Sequence, residues 1–416
     1  MRIIYKILSF SLLLHCMVLS AQTGTSSPYS MYGVGDLNSI GIGRSRALGG
    51  AGIALPTESS LNNINPASYS TIDSLSFLTD IGFDLKTSTF VRGSDKQSAK
   101  SAGLGFLAVG FRNTSWWKNS LGLVPFSSVG NNITIKNKVI DGSSDPLIIN
   151  IQGSGGLSQF YWGNAFKILP NLSIGANVSF IFGNLKQTQD MTSTAYSGNL
   201  LIEDNIYLHK LYLNYGAQYG FKLSKNLKGM VGLIYGGPCK LNMFHNTTTI
   251  DNSGIILQDK ATSETSFTLP AYYGAGLTLR LNDKLLVTSD YKMYNWANTQ
   301  PFQSKIRFVN SDNYMVGAEY TPSNSFRDAA WKRFNYRVGG YVNNTYLMLS
   351  GQQIQDKGLT FGLGLPLAQK KLYFNFTYQV GQKGASSNQN IITEYYQNFS
   401  INITLFDFWF IKPKFD

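Results

Sequence analysis

Charge is scarce in this sequence: only 14% of its 416 residues are Asp, Glu, Lys or Arg, where an ordinary soluble domain carries roughly 25%. Cysteine is scarcer still, with Cys16 and Cys239 the whole supply, and histidine stops at three. No Cys/His cluster has metal-ligand spacing, so no metal and no cofactor is expected. No Gly-x-Ser-x-Gly elbow presents a nucleophile. His209 and His245 give a Ser–His–Asp arrangement little to build on. The chain is therefore expected not to be an enzyme. No basic cluster suits nucleic acid. Past residue 22 no apolar run reaches 18 residues, which excludes a transmembrane helix.

Gly (41 residues), Phe (26) and Tyr (24), with abundant Asn, Ser and Thr, fill the space that charge leaves. That mixture favours strands and turns. A soluble chain of this length would usually divide into domains, yet no linker is visible. A β-barrel escapes that limit, because a closed sheet rather than one solid core holds it together.

The first residues have the pattern of a secretory signal. Arg2 and Lys6 precede an apolar Ile7–Leu19, and small Ser20-Ala21 stand before Gln22. That apolar run is shorter than the roughly 20 residues a membrane span needs. Cys16 follows His15, where a lipoprotein would carry a small residue. Removal of residues 1–21 leaves Cys239 alone, so export brings no disulfide. It also takes two of the basic residues behind the formal +12, leaving +10. Two readings of that charge stay open: contact with anionic lipopolysaccharide, or scattered surface lysines.

Period-two alternation is widespread. Leu172, Ile174, Ala176, Val178, Phe180 and Phe182 alternate with Ser173, Gly175, Asn177, Ser179 and Ile181. Strands are expected near 75–91, 103–113, 117–130, 155–168, 171–186, 205–223, 228–244, 264–280, 284–297, 305–321, 331–346, 355–366, 371–382 and 394–408. Tight connections at 114–116, 169–170, 224–227, 281–283 and 367–370 alternate with longer polar ones at 93–102, 132–154, 187–204, 245–262 and 381–393. Pro322–Ala330 fits this scheme worst. Short turns on one rim and long loops on the other are the habit of outer-membrane barrels, and most segments exceed the 9–11 residues a tilted crossing takes. Trp116, Trp117, Tyr161, Trp162, Trp296, Trp331 and Trp409 lie near strand ends, as interfacial girdles would. The expected fold is all-β, an antiparallel transmembrane barrel of about 14 strands over residues 75–416, in the outer membrane. Its surroundings would be lipid and lipopolysaccharide.

Residues 22–74 have another character. Gly33, Gly35, Gly41, Gly43, Gly49, Gly50 and Gly52 crowd it, yet Ile42, Leu48, Ile53, Leu55 and Ile64 give it apolar anchors. A segment of that kind suits the inside of a barrel better than water, and it is expected to be a hatch in the lumen. The run Ser45-Arg-Ala-Leu-Gly-Gly-Ala-Gly-Ile-Ala54, with Asn65-Pro66-Ala67 after it, resembles the N-terminal hatch of the FadL-type outer-membrane transporters. The opening Pro28–Asp36, Glu394 and the ending Trp409–Lys414 resemble the Bacteroidetes branch of that family.

The resemblance implies a fourteen-stranded barrel closed by its hatch, with Gly49, Gly50, Asn65, Pro66 and Ala67 as the hatch motif. It also implies lateral exit of hydrophobic, fatty-acid-like substrates at a kink in the third strand. Here that strand carries Pro125, which cannot complete a central ladder, between Gly122 and Gly130. Arg44 and Arg46 are candidates either for contact with an anionic ligand or for salt bridges between hatch and wall. Passive uptake of small hydrophobic compounds is the expected function. The alternatives are a fixed or docking subunit of an outer-membrane secretion or assembly complex, with protein partners, and an open porin.

Overall fold

The computed structural model describes residues 27–38, 41–72, 76–138, 147–193, 199–301, 306–323, 325, 327–367, 371–385 and 391–408. The signal segment, Cys16 and the ending Trp409–Lys414 lie outside the described residues.

Seventeen wall segments form fourteen antiparallel strands. They are β1 Ser76–Arg92, β2 Asp95–Arg112, β3 Trp117–Lys138, β4 Leu147–Leu169, β5 Leu172–Ser193 and β6 Asn199–Lys222. β7 (Leu227–Gly236, Cys239–Asp251) and β8 (Ile256–Leu269, Tyr272–Leu281) are each interrupted beside a proline, Pro238 and Pro270, which has no N–H for the ladder. β9 Leu285–Tyr294, β10 (Arg307–Phe308, Ser311–Tyr320), β11 Asn335–Leu349, β12 Gln352–Leu367, β13 Leu372–Gly384 and β14 Thr393–Phe408 complete the wall. β14 pairs with β1 from Thr393↔Val91 to Phe408↔Ser76, so the sheet closes on itself.

Alternation alone cannot tell a membrane barrel from a soluble sheet, but the direction of each face can. On β5, Ile174, Val178, Phe180 and Phe182 are exposed while Ser173, Asn177 and Ser179 are buried. On β6, Leu211, Leu213 and Tyr215 point outward, and Asn214 and Gln218 are buried within. The pattern is inside out relative to a soluble protein, as lipid around the wall requires. No helix among the described residues is long and apolar enough to cross a membrane.

Several expected loops are strand. β3, β4, β5 and β6 run for 22, 23, 22 and 24 residues, against 10 for β9. They take up most of 132–154 and 187–204, and β2 begins at Asp95 rather than 103. In these extensions Leu and Ile fall in short runs, Leu147–Ile149 and Leu200–Ile202, among polar residues, so the long two-residue alternation stops while backbone pairing continues. Two aromatics expected in the girdle are internal: Tyr161 and Trp296 are 1% and 2% exposed. Trp116 and Trp331 are exposed at the rim of short turns, and Trp116 stacks on Trp117 and Phe166.

Residues 27–72 pack against lumen-facing side chains and are largely buried. An open porin would need this segment outside the lumen, and its described part lies inside. Where the segment touches the wall, the wall is glycine. A Cβ at Gly175 would strike Pro66 and Ala67, at Gly216 Asn65, at Gly232 Ile53, at Gly317 Leu48, and at Gly339 Gly49. Wall glycines so placed let backbone approach backbone.

Candidate functional site: a hatched lumen beside a split in the wall

β2 and β3 pair only from Leu107↔Leu123 to Arg112↔Lys118. Beyond Leu123, β3 stays paired with β4 as far as Lys138↔Leu147, and β2 stays paired with β1 out to Arg92↔Asp95. Each strand therefore turns a free edge towards the other. Both carry a local cause. The β3 ladder shifts register at Pro125/Ser127, and the β1–β2 ladder shifts at Gly82/Phe83 opposite Gly105. Gly122 lies in the last paired stretch, opposite Ala108, and Pro125 stands just past it.

The hatch occupies the free edge of β3. Its two-residue strand Asp36–Leu37 is antiparallel to Ser127–Ser128. Asn38 N–H donates to the Phe126 carbonyl at 3.0 Å, and Ser27 N–H to the Gly130 carbonyl at 2.7 Å. Gly130 N–H donates to Ser30 Oγ at 3.0 Å. This strap, residues 27–38, is fastened across the lumen as well. Lys383 pairs with Asp36, and Tyr29 donates to the Ile392 carbonyl. Ser27 Oγ donates to Glu394 at 2.8 Å. Glu394, singled out at the start of β14, is fully buried, and Lys86 pairs with it at 2.8 Å.

The rest of the hatch, residues 42–72, is held by buried charge. Arg44 Nε and a terminal nitrogen donate to both oxygens of Glu319, at 2.8 and 2.6 Å, and Arg337 Nε donates to the same carboxylate at 2.6 Å. Burial works against the Arg44 charge, but Glu319 and Glu58 outweigh it and raise its pKa above the usual arginine value. Arg46 pairs with Asp84 and donates to Ser400 at 3.1 Å. Both candidate arginines thus reach wall carboxylates.

Backbone N–H groups of the hatch also end on wall carboxylates. Gly52 and Ile53 donate to one Asp290 oxygen at 2.6 and 2.7 Å, and Leu61 donates to Asp80 at 2.8 Å. Gly49 adopts φ +70° and Gly50 +88°, turning the chain after the short helix Gly43–Leu48. Asn65 caps the turn Pro66–Thr71 by accepting from Ala67 N–H at 3.0 Å, and it donates to the Ile53 carbonyl at 2.7 Å.

Two hollows flank the strap. One is a chamber of about 220 Å³ above the hatch, lined by Ile42, Ile64, Val124, Phe126 and a set of aromatics. The other is a recess of about 240 Å³ between the free edges of β2 and β3, lined by Ala102, Gly103, Leu104 and Ser128. Asp36, Leu37, Asn38 and Pro125 belong to both linings. Sequence reasoning missed Glu319, Arg337, Lys383 and the strap's docking. The available signal was a charged residue in lumen-facing register on a strand whose other face is apolar.

Known structures share this architecture. The Pseudomonas putida toluene transporter TodX superposes over 90% of this chain and 100% of its own, with a TM-score of 0.62 at 14% identity. A Pseudomonas aeruginosa FadL homologue covers 90% and 99%, with 0.60 at 14%. The Ralstonia pickettii toluene transporter TbuX covers 88% and 99%, with 0.58 at 15%. No curated protein matches the sequence. Fold and face pattern therefore define an outer-membrane β-barrel of the FadL type. Within that class the chain belongs to the BamG family, whose sequence profile matches residues 3–416.

Proposed function

We propose that this Gram-negative outer-membrane protein passes small hydrophobic compounds from the outside into the chamber above the hatch. From there they leave sideways between β2 and β3 when the strap lifts from the β3 edge. The observation that carries this reading is the shared wall: chamber and recess are separated by Asp36–Asn38 against Pro125. Pro125 is the residue that frees the edge; Gly122 lies in the last paired stretch before it, and Gly130 is where Ser27 and Ser30 of the strap are bonded.

An engineered cavity of roughly 150 Å³ takes benzene, so a 220 Å³ chamber suits a single-ring compound better than an extended acyl chain. TodX and TbuX are toluene transporters by name, which points the same way. Asn65, Pro66 and Ala67, with Gly49 and Gly50, fix the hatch, and Arg44 and Arg46 anchor it to the wall. The opening Pro28–Asp36 keeps the assignment to the Bacteroidetes branch.

The test is a cross-link. Leu37 and Ser127 are directly paired, within reach of a disulfide, so Leu37→Cys with Ser127→Cys can tie the strap down. Toluene uptake by cells carrying the oxidised double variant is expected to fall to the level of cells without the barrel, and reductant is expected to restore it. Uptake that ignores the cross-link refutes lateral exit.

One observation favours a second reading, that of a fixed subunit in an outer-membrane secretion or assembly complex. The main hatch is bound by ion pairs to Asp84 on β1 and Glu319 on β10, the latter braced by Arg337 of β11, which suits a part that never moves. Purification in mild detergent tests it: recovery of the barrel with stoichiometric partners supports it, and recovery alone refutes it.

A further inference from the structure

We propose that the chamber is built for a small aromatic anion, a single-ring carboxylate of the benzoate kind, with Lys292 as its countercharge. The inference rests on reading the chamber as a ligand site of the passage. It begins with register. Lys292, Asn313, Asn343, Asp356, Lys383 and Glu394 are successive cross-strand partners from β9 to β14. They form one continuous polar row along the hydrogen-bonding direction of the inner wall.

Most charges in that row are satisfied. Lys383 has Asp36, Glu394 has Lys86, and Asp356 accepts from the Tyr396 hydroxyl at 2.6 Å. Lys292 is 4% exposed, and among the described residues no hydrogen bond or carboxylate within 4.0 Å meets its ammonium. Asp290, two residues away on the same face, supplies the nearest negative charge but no hydrogen bond to Lys292: one of its oxygens takes the hatch N–H groups of Gly52 and Ile53, and the other has no hydrogen-bond partner among the described residues. Asp356 lies three strands off, about 14 Å at the spacing of neighbouring strands.

A largely buried ammonium with no hydrogen-bonded partner is costly, and a ligand carboxylate in the chamber would supply one. The chamber that Lys292 lines holds further unmet groups. Among the described residues Trp296 Nε1–H and Asn343 Oδ1 are buried without hydrogen-bond partners, and both residues line it. Around them stand Tyr161, Tyr212, Tyr272, Tyr294 and Tyr346, a lining that receives a ring by stacking or edge contact. One cation and one indole donor beside aromatic walls match a flat molecule with a carboxylate at one end. Arg44 and Arg46 cannot serve that group, because wall carboxylates already engage them.

The experiment is calorimetric titration of the detergent-solubilised protein with sodium benzoate, toluene and benzylamine. Benzoate is expected to bind saturably and more tightly than benzylamine, a comparison that needs no variant. Lys292→Met is expected to weaken benzoate at least about tenfold, the scale of a lost buried charge pair, while toluene binding stays within about twofold. Lys292→Arg should keep benzoate binding. Benzoate no better than benzylamine, or unchanged in Lys292→Met, overturns the inference and leaves a lysine that is merely hydrated. Uptake through the Leu37–Ser127 cross-linkable protein separates the two claims. Benzoate bound without any solute crossing sinks the passage and keeps the site; toluene crossing without benzoate binding does the reverse.

Discussion

The two parts of the hatch are attached in different ways. Residues 42–72 lie on wall glycines and end on buried carboxylates, with Glu319 shared between two arginines. The strap, residues 27–38, is an extra strand on an edge that β2 has left free, tied across the lumen by one ion pair at Asp36 and by hydrogen bonds from Ser27 and Tyr29. The first arrangement resists motion at every contact. The second can be undone in the order it was made. If anything moves in this lumen, it is the strap, and the ways to break that contrast can be ranked.

Glu319→Leu is expected to cost most, about 3–5 kcal/mol, because it strands the Arg337 guanidinium in the interior and leaves Arg44 with Glu58 alone. Urea unfolding in lipid vesicles measures it, and a loss under about 1 kcal/mol would mean that the hatch is not held by charge. Gly339→Val places methyl groups against the Gly49 backbone and should cost about 1–3 kcal/mol as overpacking. Protease added from the short-turn rim should then cut residues 42–72, which the unaltered protein protects.

Asp36→Ala should cost about 1–3 kcal/mol, but locally. Hydrogen exchange is expected to quicken over residues 27–38 and to leave 42–72 unchanged; a uniform response would erase the distinction between strap and body. Lys228→Ala breaks the exposed pair with Asp283 on the short-turn rim, and unfolding should shift by less than about 1 kcal/mol.

The barrel was legible because lipid imposes a rule on every strand. Residues such as Ile174 and Ser173 must face opposite solvents, and that alternation survives in a single sequence. The fourteen strands followed from it, with the tight turns near 114–116, 169–170, 224–227 and 281–283, while the connection expected as a long loop at 93–102 is the two-residue turn Gly93-Ser94. The upper parts of β3 to β6 did not, because there Leu and Ile come in short runs such as Leu147–Ile149 and Leu200–Ile202, set among Asn, Gln and Thr, and the long two-residue alternation is lost. Trp296 shows the limit of residue-type reasoning: an aromatic near a strand end reads as a girdle residue, yet the short helix Trp296–Asn298 turns it into the lumen against Tyr346, 4.4 Å between ring centres. Asn65-Pro66-Ala67 marked where the hatch turns. The arginine partners escaped notice, since Glu319 lies 275 residues from Arg44, and one sequence holds no record of such a distance.

The glycine-lined contact between hatch and wall also constrains the order of assembly. Residues 42–72 touch strands from β1 to β14, including Gly175, Gly232, Gly317, Gly339 and Asn402, too tightly to be threaded into a finished cylinder. They leave the ribosome before any strand they touch. The seam between β14 and β1 must therefore zip around a cargo already in place, and the last backbone pairs to form seal in the first residues made.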